Sequence, residues 1–486
     1  MTGSSADVML TIDGQAVPGD AGEYPVLNPA RPSEVVLHAP SSSPAQVDRA
    51  VRSAANAAAA WAALPFEECA QLVIAAGAAA FEAASGLAPS LTRENGKVLG
   101  ESQFELATIG GMTEMFAAMA EVALAPGGGP GAARVEYEPF GVVAALLPFN
   151  WPVSVLISKL APALLSGNVV VVKPPPTCPG TVLQVAQAFA AALPPGVVNT
   201  VNGPGVEVGE ALVTHPDVAM VSLTGGPRTG RAVMAAAARH LTPVLLELGG
   251  NDAAIIGPDV EPNEALAGAL LDAAWLTSGQ VCMALKRLYV PERRLREFVD
   301  ALTNRAATTV VGDGLAPETT HGPVHTAQAA AFAEELLAEA AAEGTRVHRP
   351  GSVREEDREA GGHFVAPAIV DNPGRQQRIV TEEQFAPVLP VLTYSGIDDA
   401  IEAANDSVYG LGASVWTDDD ILADSVAERL QAGTVFRNAH GPGALDPNVS
   451  FGGWKQSGIG REFGTDGIIA YTRQRAVLPT RPLPGP

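Results

Sequence analysis

Three side chains are suited to acyl-transfer chemistry, two of them in small or glycine-flanked settings. Cys282 lies in "TSGQVCMALKR", where Ser278, Gly279 and Gln280 lead into it. This setting suits an accessible thiol nucleophile whose neighbouring backbone N–H groups hold an oxyanion. An inert buried thiol is the alternative for any single cysteine. Glu247 ends the apolar run "PVLLE" just before Gly249–Gly250. Desolvation there would raise its pKa and make it a general base. A carboxylate turned to solvent, or paired with a distant arginine, is the other reading. Asn150, in "LLPFNWPVSV", carries an amide able to donate to a developing oxyanion. It also fits an Asx-type turn before a proline-started helix.

Other residues have the types and places of dinucleotide ligands. Lys173 ends "NVVVVK", where a cation can bond ribose hydroxyls or a phosphate. Gly225 and Gly226, in "LTGGPRTG", end one apolar run and open a helical one. Glycines there leave N–H groups free for a pyrophosphate, although a plain turn reads the same way. The G-x-G-x-x-G fingerprint is absent, and "NGPGVEVG" only imitates it loosely. His321 and His325 are spaced like metal ligands, but "HGPVH" offers no third ligand nearby, so they read as structural and no metal is expected. Arg437 reads as an ion-pair partner before a substrate-carboxylate ligand. "TDDD" at 417–420 reads as a solvated helix start.

These side chains need elements to hold them. Between residues 141 and 250 short apolar runs ("VVAALL", "NVVVVKP", "VVNTV", "VAMVSLTGG", "PVLLELGG") alternate with helical stretches. The helices are expected at Val153–Leu165, Thr181–Leu193, Val206–Val213 and Arg228–Arg239. That alternation signals a doubly wound parallel sheet, with ligands at the carboxyl ends of its strands. Residues 1–40 read as short strands and turns. An alanine-rich helix starts at Ser43–Pro44, with more helix to about Leu124. The Gly/Pro cluster Pro126–Gly131 breaks that pattern as a hinge or extended excursion. Alternation resumes from 250 to about 440, and "AYTRQRAVLP" has strand character suited to pairing with another subunit's edge.

At 486 residues the chain is too long for one core, so two or three domains are expected. Thirty basic against 53 acidic residues give a net charge of −23, which repels phosphate backbones and argues against nucleic-acid binding. No apolar run suits a membrane span, and the start, Met1–Leu10, lacks a secretory signal's pattern, so a cytoplasmic protein is expected. Three cysteines, Cys69, Cys178 and Cys282, are too few for a disulfide framework.

The motifs "PFNWP", "VVVVKP", "LTGG", "ELGG", "GQVC", "EEQFAPVLPV" and "NVSFGGWKQSGIGREFG" occur in the order seen in the aldehyde dehydrogenase superfamily. The chain resembles that family from about residue 20 to 475, including the 35-residue step from Glu247 to Cys282. The resemblance implies an α/β fold: a Rossmann-like cofactor domain (1–124 and 141–250), an α/β catalytic domain (251–440) and a small β oligomerisation arm (125–140 and 465–486). It implies Cys282 as nucleophile, Glu247 as the base that hydrolyses the thioester, and Asn150 with the Cys282 N–H as oxyanion donors. It places Lys173 on the adenosine ribose, Gly225 and Gly226 under the pyrophosphate, and Glu383 and Phe385 on the nicotinamide ribose and ring, with Phe149 and Leu248 beside the cofactor. Trp151, Val155, Val281, Met283, Leu445 and Phe451 are implied as the substrate pocket, favouring an apolar or aromatic aldehyde. The implied partners are that aldehyde and identical subunits, as homodimer or homotetramer. NAD is the expected cofactor. Pro176 replaces the glutamate of the "KPxE" pattern that disfavours NADP, so NADP remains possible; no extra Lys or Arg adjoins Lys173. A CoA-acylating or semialdehyde-oxidising relative, and a non-catalytic homologue, are the alternatives.

Overall fold

The computed structural model describes residues 8–125, 127–128 and 133–479. Residues 1–7, most of the Pro126–Gly131 cluster and the last part of the expected arm, 480–486, lie outside the described residues. Strands buried on both faces read as continuous apolar runs. Val142–Leu146 and Val169–Lys173 are buried at every position. With Val198–Thr200, Val218–Thr224 and Val244–Glu247 they form a parallel sheet, closed at one edge by the antiparallel strand Gly458–Ile459. The Val142–Leu146 strand lies between Val169–Lys173 and Val218–Thr224, so strand order reverses there. Such a switch point opens a crevice beyond the strand ends. Register sets Leu146 beside Lys173 and Leu223, and Thr224 beside Glu247. Four candidate segments therefore leave the sheet side by side.

The helices fall close to their sequence-based spans: Pro152–Leu165, Gly180–Ala191, Val206–Val213 and Pro227–Ala237. A short 3-10 turn, Ala238–His240, finishes the last of these. Pro44–Ala62 starts as expected, with the Ser43 hydroxyl accepting the Gln46 N–H at 3.2 Å. Its buried stripe, Val47, Ala50, Val51, Ala54 and Trp61, joins the core around the first sheet. No single helix among the described residues is long and apolar enough to cross a membrane.

A second sheet holds seven strands, in the order Arg346–His348, Ala368–Asp371, Val388–Tyr394, Leu285–Pro291, Asp252–Ile256, Gly412–Trp416 and Thr434–Arg437. All are parallel except the first, an antiparallel edge. Asp252 faces Leu285 and Ala253 faces Arg287, which leaves Lys286 as the extra residue of a bulge. Bulges re-aim a side chain and recur next to active sites. The C-terminal strand Thr472–Val477 pairs with Arg134–Pro139 of its own chain, with Gly127–Gly128 beyond. The preceding helix Gly464–Ile469 packs on the first core through Ile468, next to Tyr471, so the strand pairing starts only at Thr472.

Candidate active site

Beyond Leu146 the chain turns through Phe149–Trp151 into the helix at Pro152. Asn150 is buried, and its Nδ2 donates to the Gln280 carbonyl at 2.8 Å. That bond ties the first strand's end to the loop of Cys282. The turn is itself held from below. Lys97 Nζ donates to the Asn150 carbonyl and to Glu105 Oε2, each at 2.6 Å. Glu105 Oε1 accepts the Val153 and Ser154 N–H groups at 2.7 and 3.0 Å, amides that a helix start leaves without partners. Lys97 and Glu105 have no solvent exposure. A pair this buried is costly to break from one side.

Cys282 is half-buried, whereas Cys69 and Cys178 are buried. Burial pushes its thiol up, with Glu247, Asp252 and Glu383 adding to the rise and the Met283 N–H opposing it. The residues before it form a left-handed turn: φ is +51° at Thr277, +55° at Ser278 and +74° at Gly279. A β-branched residue in that region is an outlier, and each such residue costs on the order of 1–3 kcal/mol. Outside contacts hold the turn. Glu101 Oε1 accepts the Thr277 N–H at 2.7 Å, and Ser278 Oγ donates to the Gly322 carbonyl at 2.7 Å. Lys286 Nζ donates to the Gly279 carbonyl. The His325 N–H donates to Gln280 Oε1 at 2.8 Å. A side chain at Gly279 would meet the Ala386 carbonyl at 2.2 Å, so only glycine fits.

Glu247 is buried, and both of its carboxylate oxygens lack a hydrogen-bond partner. Burial pushes its pKa well above the ordinary range. Glu462 raises it further, while Lys159 and Arg461 oppose the rise. Lys159 Nζ donates to Glu462 Oε1 at 2.6 Å and to Ser222 Oγ at 3.0 Å. This buried pair stands beside Glu247 and acts on its carboxyl from both signs of charge. The residue reading missed it, although Lys159 is the lone cation of the apolar helix "PVSVLISKLAPALL".

The dinucleotide candidates lie at the carboxyl ends of the first sheet's strands or touch the segments that leave them. Lys173 ends its strand buried, pushed down to about 8 by burial, with only a long 3.4 Å contact to its neighbour's carbonyl. Gly226 starts the helix Pro227–Ala237 with no capping side chain, and open space lies beside it. Leu248 packs against Gly230 of that helix, where a side chain would meet Leu248 Cδ1 at 2.7 Å. Glu383 Oε1 accepts the Gly250 N–H at 3.0 Å, and burial pushes its carboxyl up to about 7. Phe385, at φ +47°, sets its ring edge-on to Phe149 at 5.9 Å. Phe149 stacks on His325 at 4.3 Å. His325 contacts the Asn95 carbonyl at 2.9 Å and Thr177 Oγ1 at 2.6 Å, and burial pushes it down to about 4. His321 instead meets Trp275 edge-on. Arg437 pairs with Asp424 at the surface, and Asp419 of "TDDD" caps the helix Asp420–Ala427.

Of the pocket candidates, Val281, Met283 and Phe451 form one cluster with Ala284 and Leu411, and Trp151, Leu445 and Cys282 pack against it. Val155 does not join them. One turn into the helix, it packs against the core of the first sheet.

The model of the aldehyde dehydrogenase family matches residues 16–477. The chain belongs to the aldehyde dehydrogenase family. It is an enzyme of that aldehyde-oxidising class, with the family's α/β fold. Geranial dehydrogenase of Castellaniella defragrans is 37% identical to this aldehyde dehydrogenase over 487 residues, covering 96% of this chain and 99% of the relative. Phenylacetaldehyde dehydrogenase of Pseudomonas fluorescens is 40% identical over 348 residues, covering 71% and 68%. Betaine aldehyde dehydrogenase of Staphylococcus aureus, solved with NAD+, superposes with a TM-score of 0.91 at 31% identity, covering 97% and 95%. A cysteine-to-alanine variant of aldehyde dehydrogenase C of Pseudomonas syringae, solved with NAD+ and octanal, gives 0.88 at 35% identity, covering 96% of each chain.

Proposed function

We propose that this enzyme oxidises an apolar or aromatic aldehyde to its carboxylic acid, with NAD as cofactor and Cys282 as the acyl carrier. The observation that carries the reading is the meeting of three groups: the half-buried Cys282, the Asn150 amide bonded to its loop, and the unpaired Glu247 carboxylate. Lys173, short of partners, and the open helix start at Gly226 fit a ribose and a pyrophosphate. Glu383, Phe385 and Phe149 stand where the ring end would lie. Bound there, the nicotinamide supplies the hydride acceptor.

The chain's own residues do the rest. The Cys282 sulfur attacks the aldehyde carbon, and Asn150 Nδ2 with the Cys282 N–H stabilises the oxygen that becomes negative. Loss of hydride leaves a thioester on Cys282. Glu247, held high in pKa, takes a proton from water as it attacks that thioester. The acid leaves and the thiol is restored. Trp151, Val281, Met283, Leu445 and Phe451 make the surroundings apolar, and Phe104 meets Trp151 edge-on at 6.2 Å. This favours geranial-, phenylacetaldehyde- or octanal-like substrates over charged ones. The exposed edge strand Thr472–Val477 supports assembly with identical subunits, as dimer or tetramer.

Reduced-cofactor absorbance across an aldehyde panel, with and without CoA, tests the reading. The expected result is CoA-independent oxidation of long aliphatic and aromatic aldehydes. Turnover only with CoA would reassign the enzyme as acylating, and silence across the panel would favour a non-catalytic homologue.

A further inference from the structure

Lys286 is a charged side chain with no assigned place in the chemistry above. It has no solvent exposure, and the salt bridges among the described residues do not include it. Buried ammonium groups are rare without a carboxylate partner. Its position is set by the bulge, which inserts it between Leu285 and Arg287 just where the second sheet's strand leaves the Cys282 loop. Its ammonium turns back and donates to the carbonyl of Gly279, the last residue of the left-handed turn. One side chain thereby closes the loop 279–286 around Cys282. The ammonium also lies 5.5 Å from the centre of the Phe385 ring, and Gly279 abuts the Ala386 carbonyl. The clasp therefore joins the nucleophile's turn to the Glu383–Phe385 segment. Burial pushes Lys286 down to about 8, while Glu383, Asp252 and Cys282, the titratable groups facing it, favour its charge.

We propose that Lys286 is a positioning residue for Cys282: its ammonium holds the left-handed turn that aims the thiol, and its positive charge favours the thiolate over the thiol. This rests on Cys282 being the nucleophile. A left-handed turn with two non-glycine residues has a right-handed or extended alternative that the backbone intrinsically favours. Without the donor at Gly279 the turn loses the tether on its own last carbonyl, while Glu101 still holds its entrance and Asn150 and His325 hold the next residue, Gln280. Without the charge, the sulfur loses a cation that faces it, while Glu247, Asp252 and Glu383 still disfavour its thiolate.

The test uses the intact enzyme without cofactor. Alkylation of Cys282 by iodoacetamide is followed from pH 6 to pH 11 and mapped by peptide mass, for wild type, Lys286→Met, Lys286→Gln and Lys286→Arg, alongside kcat and KM. Lys286→Met is expected to slow alkylation at pH 8 about tenfold or more, since one pH unit in the thiol's midpoint is a factor of ten. Its midpoint should move up, and kcat should fall with KM little changed. Lys286→Arg, which keeps a donor and a charge, should recover much of both. Lys286→Gln, which keeps a donor but no charge, should keep the raised midpoint, and it carries the test if the methionine variant does not fold. A Gln variant with the wild-type alkylation profile and kcat would overturn the proposal. So would an Arg variant as impaired as Met in both. Wild-type labelling that maps to a cysteine other than 282 would overturn the thioester reading itself, a separate result.

Discussion

The two sheets deliver their chemistry in different ways. At the first, Asn150, Lys173, Gly225 and Glu247 follow parallel strands that lie one beside another, the register shift at Val218–Met220 lying at the end away from the site. At the second, Cys282 leaves through a strained left-handed turn and a bulge, pinned by Glu101, Ser278, Lys286, His325 and Asn150. The first site is positioned mainly by the backbone ladder, with Lys97 and Glu105 holding the Asn150 turn beyond it, and the second by side chains gripping an unfavourable backbone. Robustness should follow the same division: base and cofactor ligands should tolerate neighbouring substitutions, and the nucleophile should not.

The largest break in that comparison is removal of the thiol. Cys282→Ala should lower kcat/KM by about 10³-fold or more in steady-state assays, as loss of a covalent nucleophile does. Next is a bond that joins the two halves at the nucleophile's loop. Asn150→Ala removes both an oxyanion donor and the tether to Gln280, and should lower kcat about 10²–10³-fold. It should slow iodoacetamide capture of Cys282 as well, because the loop is loosened, whereas a pure oxyanion role would leave alkylation unchanged.

A smaller effect sharpens the Glu247 side. Burial holds the folded-state pKa of Glu247 above the 4.5 of a free carboxyl. Above pH 4.5 the unfolded chain releases that proton before the folded one does, so this group's contribution to stability falls as pH rises towards the folded value. Glutamine has no proton to lose. Glu247→Gln should match wild-type melting near pH 4.5 and exceed it by about 2–4 °C at pH 8. A variant that melts lower at pH 8 would mean that the carboxylate is ionised and stabilised in the fold. The smallest effect concerns the cofactor. With Pro176 in place of a repelling carboxylate, kcat/KM should favour NAD over NADP only roughly tenfold, and paired kinetics would measure it.

Legibility in the sequence follows the same division. Regular buried strands read as continuous apolar runs between helical stretches, so the first sheet and its helices were readable to within a few residues, as Val206–Val213 illustrates. Glu247 and Cys282 were visible because apolar or small neighbours set them off. Thr277 and Ser278 carry no sign of a left-handed backbone, since neither residue type favours it; tertiary contacts impose it. Lys97 and Glu105 were invisible because their meaning lies in the Asn150 turn, far along the chain. Lys159 did leave a signal, a lone cation in an apolar run, whereas Lys286, one of a Lys–Arg pair in an otherwise apolar strand, left a weaker one. Val155 is half-buried and also packs against the core of the first sheet, a contact that sequence adjacency to Trp151 does not reveal.

The central claim is a thioester on Cys282 that Glu247 resolves. Rapid mixing of Glu247→Gln with NAD and an aromatic aldehyde, followed by quench and peptide mass analysis, tests it most directly. The account predicts a burst of about one reduced cofactor per active site, near-absent turnover afterwards, and the acyl mass on the Cys282 peptide. Wild-type steady-state turnover with no acyl mass on Cys282 would contradict it.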